Sequence, residues 1–424
     1  MDAPLIAGPE GAGLPGNGPV VIVGAGQSGL QVAESLRSEG YASVIVMIGD
    51  EPCPPYHRPP LSKAYLAGEA SEAQLTIRAP EALAKKQIEF VAGVGVESID
   101  RANTVLTLTD GRKLAYAALA LATGSRARPL PVPGADLANV FALRTLEDTR
   151  RIAAALAAAQ RVVVIGGGFI GLEFAAVAAK QGKQVTVLEA AGRLMARVVA
   201  PPVSDFYAAL HRGHGVAIEL GAAVSALRGK AGPAQDAVAA VCTADGREFP
   251  ADLVIVGIGI LPNSELAEAA GLACERGIVV DGCSRTADPR IVASGDCTAR
   301  RLEDGSLLRL ESVQNAVEQG KSAAAALLGK ERRFDAAPWF WSDQYDVKLQ
   351  MVGLSAGYDQ VVSRGEVESQ RFSVFYFRTG KLVAIDSINQ PQVHMLGRKL
   401  LDKGNSLTAA QAADPAFDLA GAAA

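Results

Sequence analysis

Twice in this chain an apolar run meets the pattern G-x-G-x-x-G and continues into a helical segment. The first copy is VVIVGAGQSGLQVA, residues 20–33, with Gly24, Gly26 and Gly29. The second is RVVVIGGGFIGLEFAA, residues 161–176, with Gly166, Gly168 and Gly171. In such a turn the first glycine permits a tight bend, and the second lets the backbone approach a pyrophosphate. The third lets the helix pack on the strand, and the helix N-terminus offers free N–H groups to the anion. A lone copy can be an ordinary strand–helix connection. Two copies, each with its own strand and helix, predict an α/β chain with two Rossmann-like dinucleotide-binding domains.

The strand after such a turn should end in an acid for the ribose hydroxyls. In the second copy it is KQVTVLEA, which places Glu189 about twenty residues past the turn. A carboxylate there binds a free 2′-hydroxyl and repels a 2′-phosphate, so it favours NADH over NADPH. Arg193 and Arg197, just downstream, are cations that could accept a phosphate and oppose that preference. In the first copy, SVIVMIGDE carries Gly49 where the acid would sit, then Asp50 and Glu51. Asp50 is the candidate ribose contact, with a solvated loop acid as the alternative. Three more strand ends follow the same logic: Ala122-Thr123-Gly124 in AALALATGSRARP, Gly257 and Gly259 in ADLVIVGIGILPN, and Asp296 in RIVASGDCTA.

Other classes of function find little support. A formal net charge of −4 gives no overall basic character for nucleic acid or an anionic membrane. No apolar run reaches the roughly 20 residues of a spanning helix. The opening MDAPLIAGPEGAGLPGNGP lacks a signal-peptide pattern, and its Gly and Pro content predicts a loose leader. A cytoplasmic location is the simplest expectation. The five cysteines form no C-x-x-C, and the four histidines no H-E-x-x-H, so no metal site is expected.

These motifs, in this order, resemble the two-dinucleotide flavoprotein oxidoreductases of glutathione-reductase-like fold. Within them the chain is most similar to the FAD-dependent NADH:ferredoxin reductases of putidaredoxin reductase-like type. The carriers are VGAGQSG, RPPLSKAYLAG, LATGSRARPLPVPG, VVVIGGGFIGLEFAA, VGIGILPN, GDC, ESVQNAVEQG and APWFWSDQY, across about residues 18–390. The resemblance implies that the first turn holds FAD and the second NADH. It implies an FAD domain in two pieces (1–125 and 251–330), an NAD domain between them (126–250) and a C-terminal α/β domain (331–424). It also implies a 2Fe-2S ferredoxin as electron acceptor, and through it a cytochrome P450. Alternatives are a ring-hydroxylating dioxygenase system and a redox-sensing flavoprotein similar to apoptosis-inducing factor.

The resemblance also assigns residues. Arg58 becomes an FAD contact, and Lys63 a cation beside the flavin ring, where it would favour the anionic reduced form. Glu173 would pair with Lys63 at the hydride-transfer centre; the plainer reading is an acid welcomed in a first helical turn. Asp296 would meet the ribityl hydroxyls, and the backbone N–H of Val313 the pyrimidine edge. Trp341 would lie against the isoalloxazine; it shares one strand face with Trp339 if that segment is extended. Phe169 and Ile170 stand in the NAD turn, Phe169 where relatives often have tyrosine, and Arg197 and Gly259 complete the nucleotide contacts. Arg309 is the candidate docking cation for the ferredoxin, against a plain pairing with Glu311 or Glu303. The Ala-rich end, AADPAFDLAGAAA, matches nothing usable. A disulfide reductase of this fold would need a redox cysteine pair, which this sequence lacks.

Overall fold

A computed structural model describes residues 18–231, 236–404 and 407–423. The expected N-terminal leader lies largely outside the described residues. The chain divides into two compact units: residues Met1–His57, Glu72–Arg126 and Leu261–Ala336 form one, and Arg58–Ser71, Ala127–Ile260 and Ala337–Ala424 the other.

The first unit is built on a parallel five-stranded sheet. Its strands run in the order Ile291–Ala293, Ala118–Leu121, Val20–Val23, Ile45–Gly49 and Ile88–Ala92. The segments VVIV, IVMIG, ALAL and IVA are buried at every position. Such continuous apolar runs are what a sheet covered on both faces demands. One cover is the helix Gln27–Ser38 against the helix Val313–Leu327, where Leu30, Ala33 and Leu36 share a core with Ala323, Ala324 and Leu327.

The second unit contains a matching parallel sheet in the order Ala217–Leu220, Gln184–Glu189, Arg161–Ile165, Leu253–Val256 and Val140–Ala142. Residues 251–260 were expected in the second piece of the FAD domain. Instead, Leu253–Val256 pairs in parallel with Arg161–Ile165, because a fully buried LVIV run needs a neighbour on each side. Likewise Arg58–Ser71, expected with residues 1–125, groups with the second unit.

Residues 339–388 of that unit form an antiparallel sheet in the order Trp339–Gln344, Val347–Gly353, Lys381–Ile388, Arg371–Arg378 and Gln360–Glu366. The Ala-rich end is part of this layer. Helices Ala409–Ala413 and Leu419–Ala423 bury Ala412, Leu419 and Ala423 in one core with Phe375, Phe377 and Ile385. Thr408 caps the first of them, accepting from the Gln411 N–H at 3.2 Å.

Candidate functional site

Each turn shows the geometry its glycines imply. Gly24 sits at φ +110°, and a Cβ there would overlap the Ala122 carbonyl; Gly166, at φ +105°, would strike that of Gly257. A side chain is excluded at both positions by conformation and by space. The middle glycines differ. A Cβ on Gly26 would meet nothing within 4 Å, and one on Gly168 only the Gly257 oxygen at 3.9 Å. These are open cradles at the starts of the helices Gln27–Ser38 and Phe169–Lys180, whose first N–H groups lack helical acceptors. A pyrophosphate fits such a cradle. Gly29 and Gly171 lie hard against the Gly24 and Gly166 carbonyls, which draws each helix onto its turn.

In the first unit the remaining predicted residues cluster round the strand ends. The Thr123 hydroxyl donates to the Asn263 carbonyl at 2.6 Å, and the Asn263 side chain donates back to the Thr123 carbonyl at 2.9 Å. This clamp holds the Ala122-Thr123-Gly124 turn. Asp296 accepts from the Ser125 hydroxyl at 2.9 Å. The preceding Gly295 N–H donates to Gln319 Oε1 at 2.8 Å, an oxygen that also receives the Thr298 hydroxyl at 2.9 Å. Val313 opens its helix behind the Ser312 cap, so its N–H has no helical acceptor. Asp50 is exposed just past the strand Ile45–Gly49, and a Cβ on Gly49 would lie 2.8 Å from that of Ala25 in the turn. That contact explains why no acid stands at position 49.

Of the two readings of Arg309, docking cation or pairing with Glu311 or Glu303, the pairing with Glu311 is present. Its side chain is 16% exposed and pairs with Glu311 at 2.9 Å. A guanidinium covered this far and already neutralised offers little field to an incoming partner.

In the second unit Glu189 ends its strand as expected, and its carboxylate is engaged. Oε2 accepts the Gly167 N–H at 2.7 Å, and Oε1 the Ala191 N–H at 2.8 Å. Arg193 is engaged by its own unit, donating to the carbonyls of Val199 and Ala196 and to the Ser204 hydroxyl. Of the two arginines weighed against Glu189, only Arg197 is exposed. It stands beside Gly259, whose Cβ would be 3.8 Å from its Nη2. Phe169 begins the helix, its ring 5.0 Å from that of Phe340, and Ile170 is exposed.

Arg58 donates to the Arg144 carbonyl at 2.9 Å and precedes the short 3-10 turn Pro59–Ser62. That turn delivers Lys63, whose Nζ lies 2.7 Å from Glu173 Oε2. Glu173 is 4% exposed, and two hydroxyls complete its shell: Ser62 donates to Oε2 and Ser342 to Oε1, both at 2.6 Å. Burying a carboxylate is costly unless it is paired and hydrogen-bonded; here both conditions are met. Ser342 belongs to the strand Trp339–Gln344, on which Trp339 and Trp341 share a face with ring centroids 5.6 Å apart. The two tryptophans, with Asp343, Lys348, Gln350 and Arg371, line a groove of about 770 Å³.

Sequence reasoning missed Ser62, Ser342, Gln319 and Asn263 as supports. All four stand inside quoted motifs, but nothing in a motif says which neighbour a hydroxyl or amide will meet. Among the described residues no cluster of three or more His, Cys, Asp or Glu could hold a metal ion. No described helix is long and apolar enough to cross a membrane.

Comparison with known proteins agrees with this geometry. Residues 18–320 match the pyridine nucleotide-disulphide oxidoreductase family, and residues 339–423 match a reductase C-terminal domain. The chain is 49% identical to the putidaredoxin reductase of Pseudomonas putida, over 88% of this chain and 89% of that protein. A crystal structure of the ferredoxin reductase for the CYP199A2 system from Rhodopseudomonas palustris superposes with a TM-score of 0.92 at 45% identity. It covers 96% of this chain and 100% of its own. The reductase in a covalent putidaredoxin reductase–putidaredoxin complex gives 0.91 at 45% identity, covering 95% and 97%. With two nucleotide cradles preformed and both family models matched in order, the chain belongs to the pyridine nucleotide-disulphide oxidoreductase family, in its ferredoxin reductase group, which uses FAD and a pyridine nucleotide.

Proposed function

We propose that this protein is an NADH-dependent ferredoxin reductase that takes a hydride from NADH and passes electrons through FAD to a 2Fe-2S ferredoxin. One observation carries the reading. The chain has two nucleotide cradles but no C-x-x-C or C-x4-C redox pair to receive the electrons, which supports an external acceptor. Similarity to reductases named for putidaredoxin and for the CYP199A2 system supports a ferredoxin that serves a cytochrome P450. Five cysteines without a C-x-x-C pair suit the reducing cytoplasm.

FAD, when bound, supplies the two-electron to one-electron conversion that NADH alone lacks. The protein binds, orients and shields. In this reading Gly24, Gly26 and Gly29 cradle the FAD pyrophosphate, and Asp50, Arg58, Ala122, Thr123, Gly124, Asp296 and Val313 complete that nucleotide's contacts. Gly166, Gly168, Phe169, Ile170, Gly171, Glu189, Arg197 and Gly259 serve NADH. Lys63, Glu173 and Trp341 take the catalytic roles: Glu173 holds the Lys63 ammonium in place through their 2.7 Å ion pair, and Trp341 supplies an aromatic face that excludes water. None acts as a nucleophile.

The test is NADH oxidation with an added 2Fe-2S ferredoxin. Sustained ferredoxin reduction supports the reading. Slow NADH oxidation that an added ferredoxin does not accelerate would favour a redox sensor. A dioxygenase ferredoxin accepted in place of a P450 ferredoxin would reassign the pathway and leave the reductase role intact.

A further inference from the structure

The Lys63–Glu173 pair is one end of a longer buried chain. Beyond Ser342, the Gln344 side-chain amide lies 3.2 Å from the Ser342 oxygen, and Gln344 Oε1 lies 2.8 Å from His211 Nε2. His211 Nδ1 then faces the Tyr345 hydroxyl at 3.4 Å. Glu173 is 4% exposed, Gln344 1%, and Ser342 and His211 0%. Apart from Ser342 and Gln344, which stand two apart on one strand, the contacting residues are far apart in sequence, and all lie within the second compact unit.

The direction of this chain follows from its charged end. An ionised carboxylate only accepts, so Ser342 must spend its single proton on Glu173. The Ser342 oxygen is then free to accept, which turns the N–H₂ of Gln344 toward it and Gln344 Oε1 toward His211. His211 must therefore carry its proton on Nε2, leaving Nδ1 to accept from Tyr345. The opposite orientation of Gln344 would compete for the Ser342 proton and leave two oxygens 2.6 Å apart with no hydrogen between them.

We propose that His211 is a positioning residue for Glu173, acting through Gln344 and Ser342, and that the charge on Glu173 fixes the His211 tautomer from the other end of the chain. Without His211 as donor, the Gln344 amide is free to turn over. The Ser342 hydroxyl then finds a second acceptor, and Glu173 loses its donor on Oε1, the oxygen away from Lys63. Burial pushes the imidazole down to about 4, helped by the nearby His214 and opposed by the Gln344 hydrogen bond, so His211 remains neutral at working pH. His214, donating to the Leu210 carbonyl and stacked on Tyr345 with centroids 3.7 Å apart, closes the outer end.

The kinetic half of this proposal rests on the reductase reading; the tautomer half does not. The sequence has four histidines, so nitrogen-15 labelling of histidine resolves the tautomer of each by NMR in the flavin-loaded protein. Wild type should show His211 as Nε2–H. Glu173→Gln supplies an amide that can donate to Ser342, which reverses every bond and moves the proton to Nδ1. An unchanged tautomer in Glu173→Gln would overturn the proposal whatever the enzyme's acceptor. In stopped-flow flavin reduction, His211→Phe should lower the limiting rate roughly three- to tenfold with NADH affinity unchanged, as for loss of about one hydrogen bond. His211→Gln, which keeps a side-chain N–H for Gln344, should recover most of the rate. Equal loss in both variants would show that His211 only fills space and would refute its positioning role.

Discussion

Glu189 Oε2 accepts a 2.7 Å hydrogen bond from the Gly167 N–H, so the acid proposed to read the ribose also ties down the glycine turn of the second unit. Its second oxygen holds the Ala191 N–H. One carboxylate therefore holds the shape of the turn and, in the proposed function, also sets selectivity.

Glu189→Ala should accordingly do more than erase a preference. Loss of hydrogen bonds to a charged acceptor costs about 1.5–3 kcal/mol each, so KM for NADH should rise at least tenfold. The NADH:NADPH ratio of kcat/KM should fall toward unity. Because Arg193 is engaged by Val199, Ala196 and Ser204, Arg193→Ala should reduce stability without favouring either nucleotide. Steady-state kinetics with both nucleotides check this; a wild-type ratio retained by Glu189→Ala would refute the assignment.

The two glycine positions in the first turn should separate binding from folding. Gly24→Ala, at φ +110° and against the Ala122 carbonyl, should destabilise the fold by about 1–3 kcal/mol or more. Gly26→Ala meets no protein atom, so the apoprotein should melt near wild type while its flavin content drops. Thermal melts of apoprotein and absorbance of purified protein distinguish these outcomes. Equal melting losses in both variants would contradict the open-cradle geometry.

A pH effect belongs to Asp386, fully buried on the strand Lys381–Ile388. Burial pushes its carboxyl up to about 7, while the Tyr376 hydroxyl, which donates to it, opposes the rise. Because the folded value exceeds the unfolded one, this group's contribution is complete below about 4. It is lost as pH rises through about 7. Asp386→Asn cannot ionise, so its Tm relative to wild type should be higher at pH 8 than at pH 5. Parallel wild-type and variant melting curves from pH 5 to 8 would refute this.

Arg309→Gln should leave the salt dependence of ferredoxin reduction unchanged, since the side chain is covered and paired with Glu311. A weaker salt dependence would restore Arg309 as a docking cation.

What was legible in the sequence was local. Gly24, Gly26, Gly29 and their counterparts announce themselves because strand, turn and helix adjoin, and the fully apolar runs predict parallel strands by their burial. The supports of the site were not legible, because they meet across the chain: Ser62 and Ser342 reach Glu173 over 111 and 169 residues. His211 meets Gln344 over 133. The C-terminal helices escaped notice because alanine gives little contrast between faces; Leu419 and Ala423 are buried only in a tertiary core that also holds Leu400, Phe375 and Phe377. For Arg309 the sequence leaves docking and pairing with Glu311 or Glu303 both open, and only the fold selects Glu311.

The central claim is that two cradles in one chain serve a relay from NADH through FAD to an external one-electron carrier. The most direct measurement mixes the flavin-loaded protein with NADH and excess oxidised 2Fe-2S ferredoxin without oxygen, following flavin and cluster absorbance together. The account predicts that flavin bleaches first and that many equivalents of ferredoxin are then reduced per enzyme, with turnover on the order of 10 s⁻¹. Flavin that NADH bleaches fully while the ferredoxin remains oxidised would contradict it.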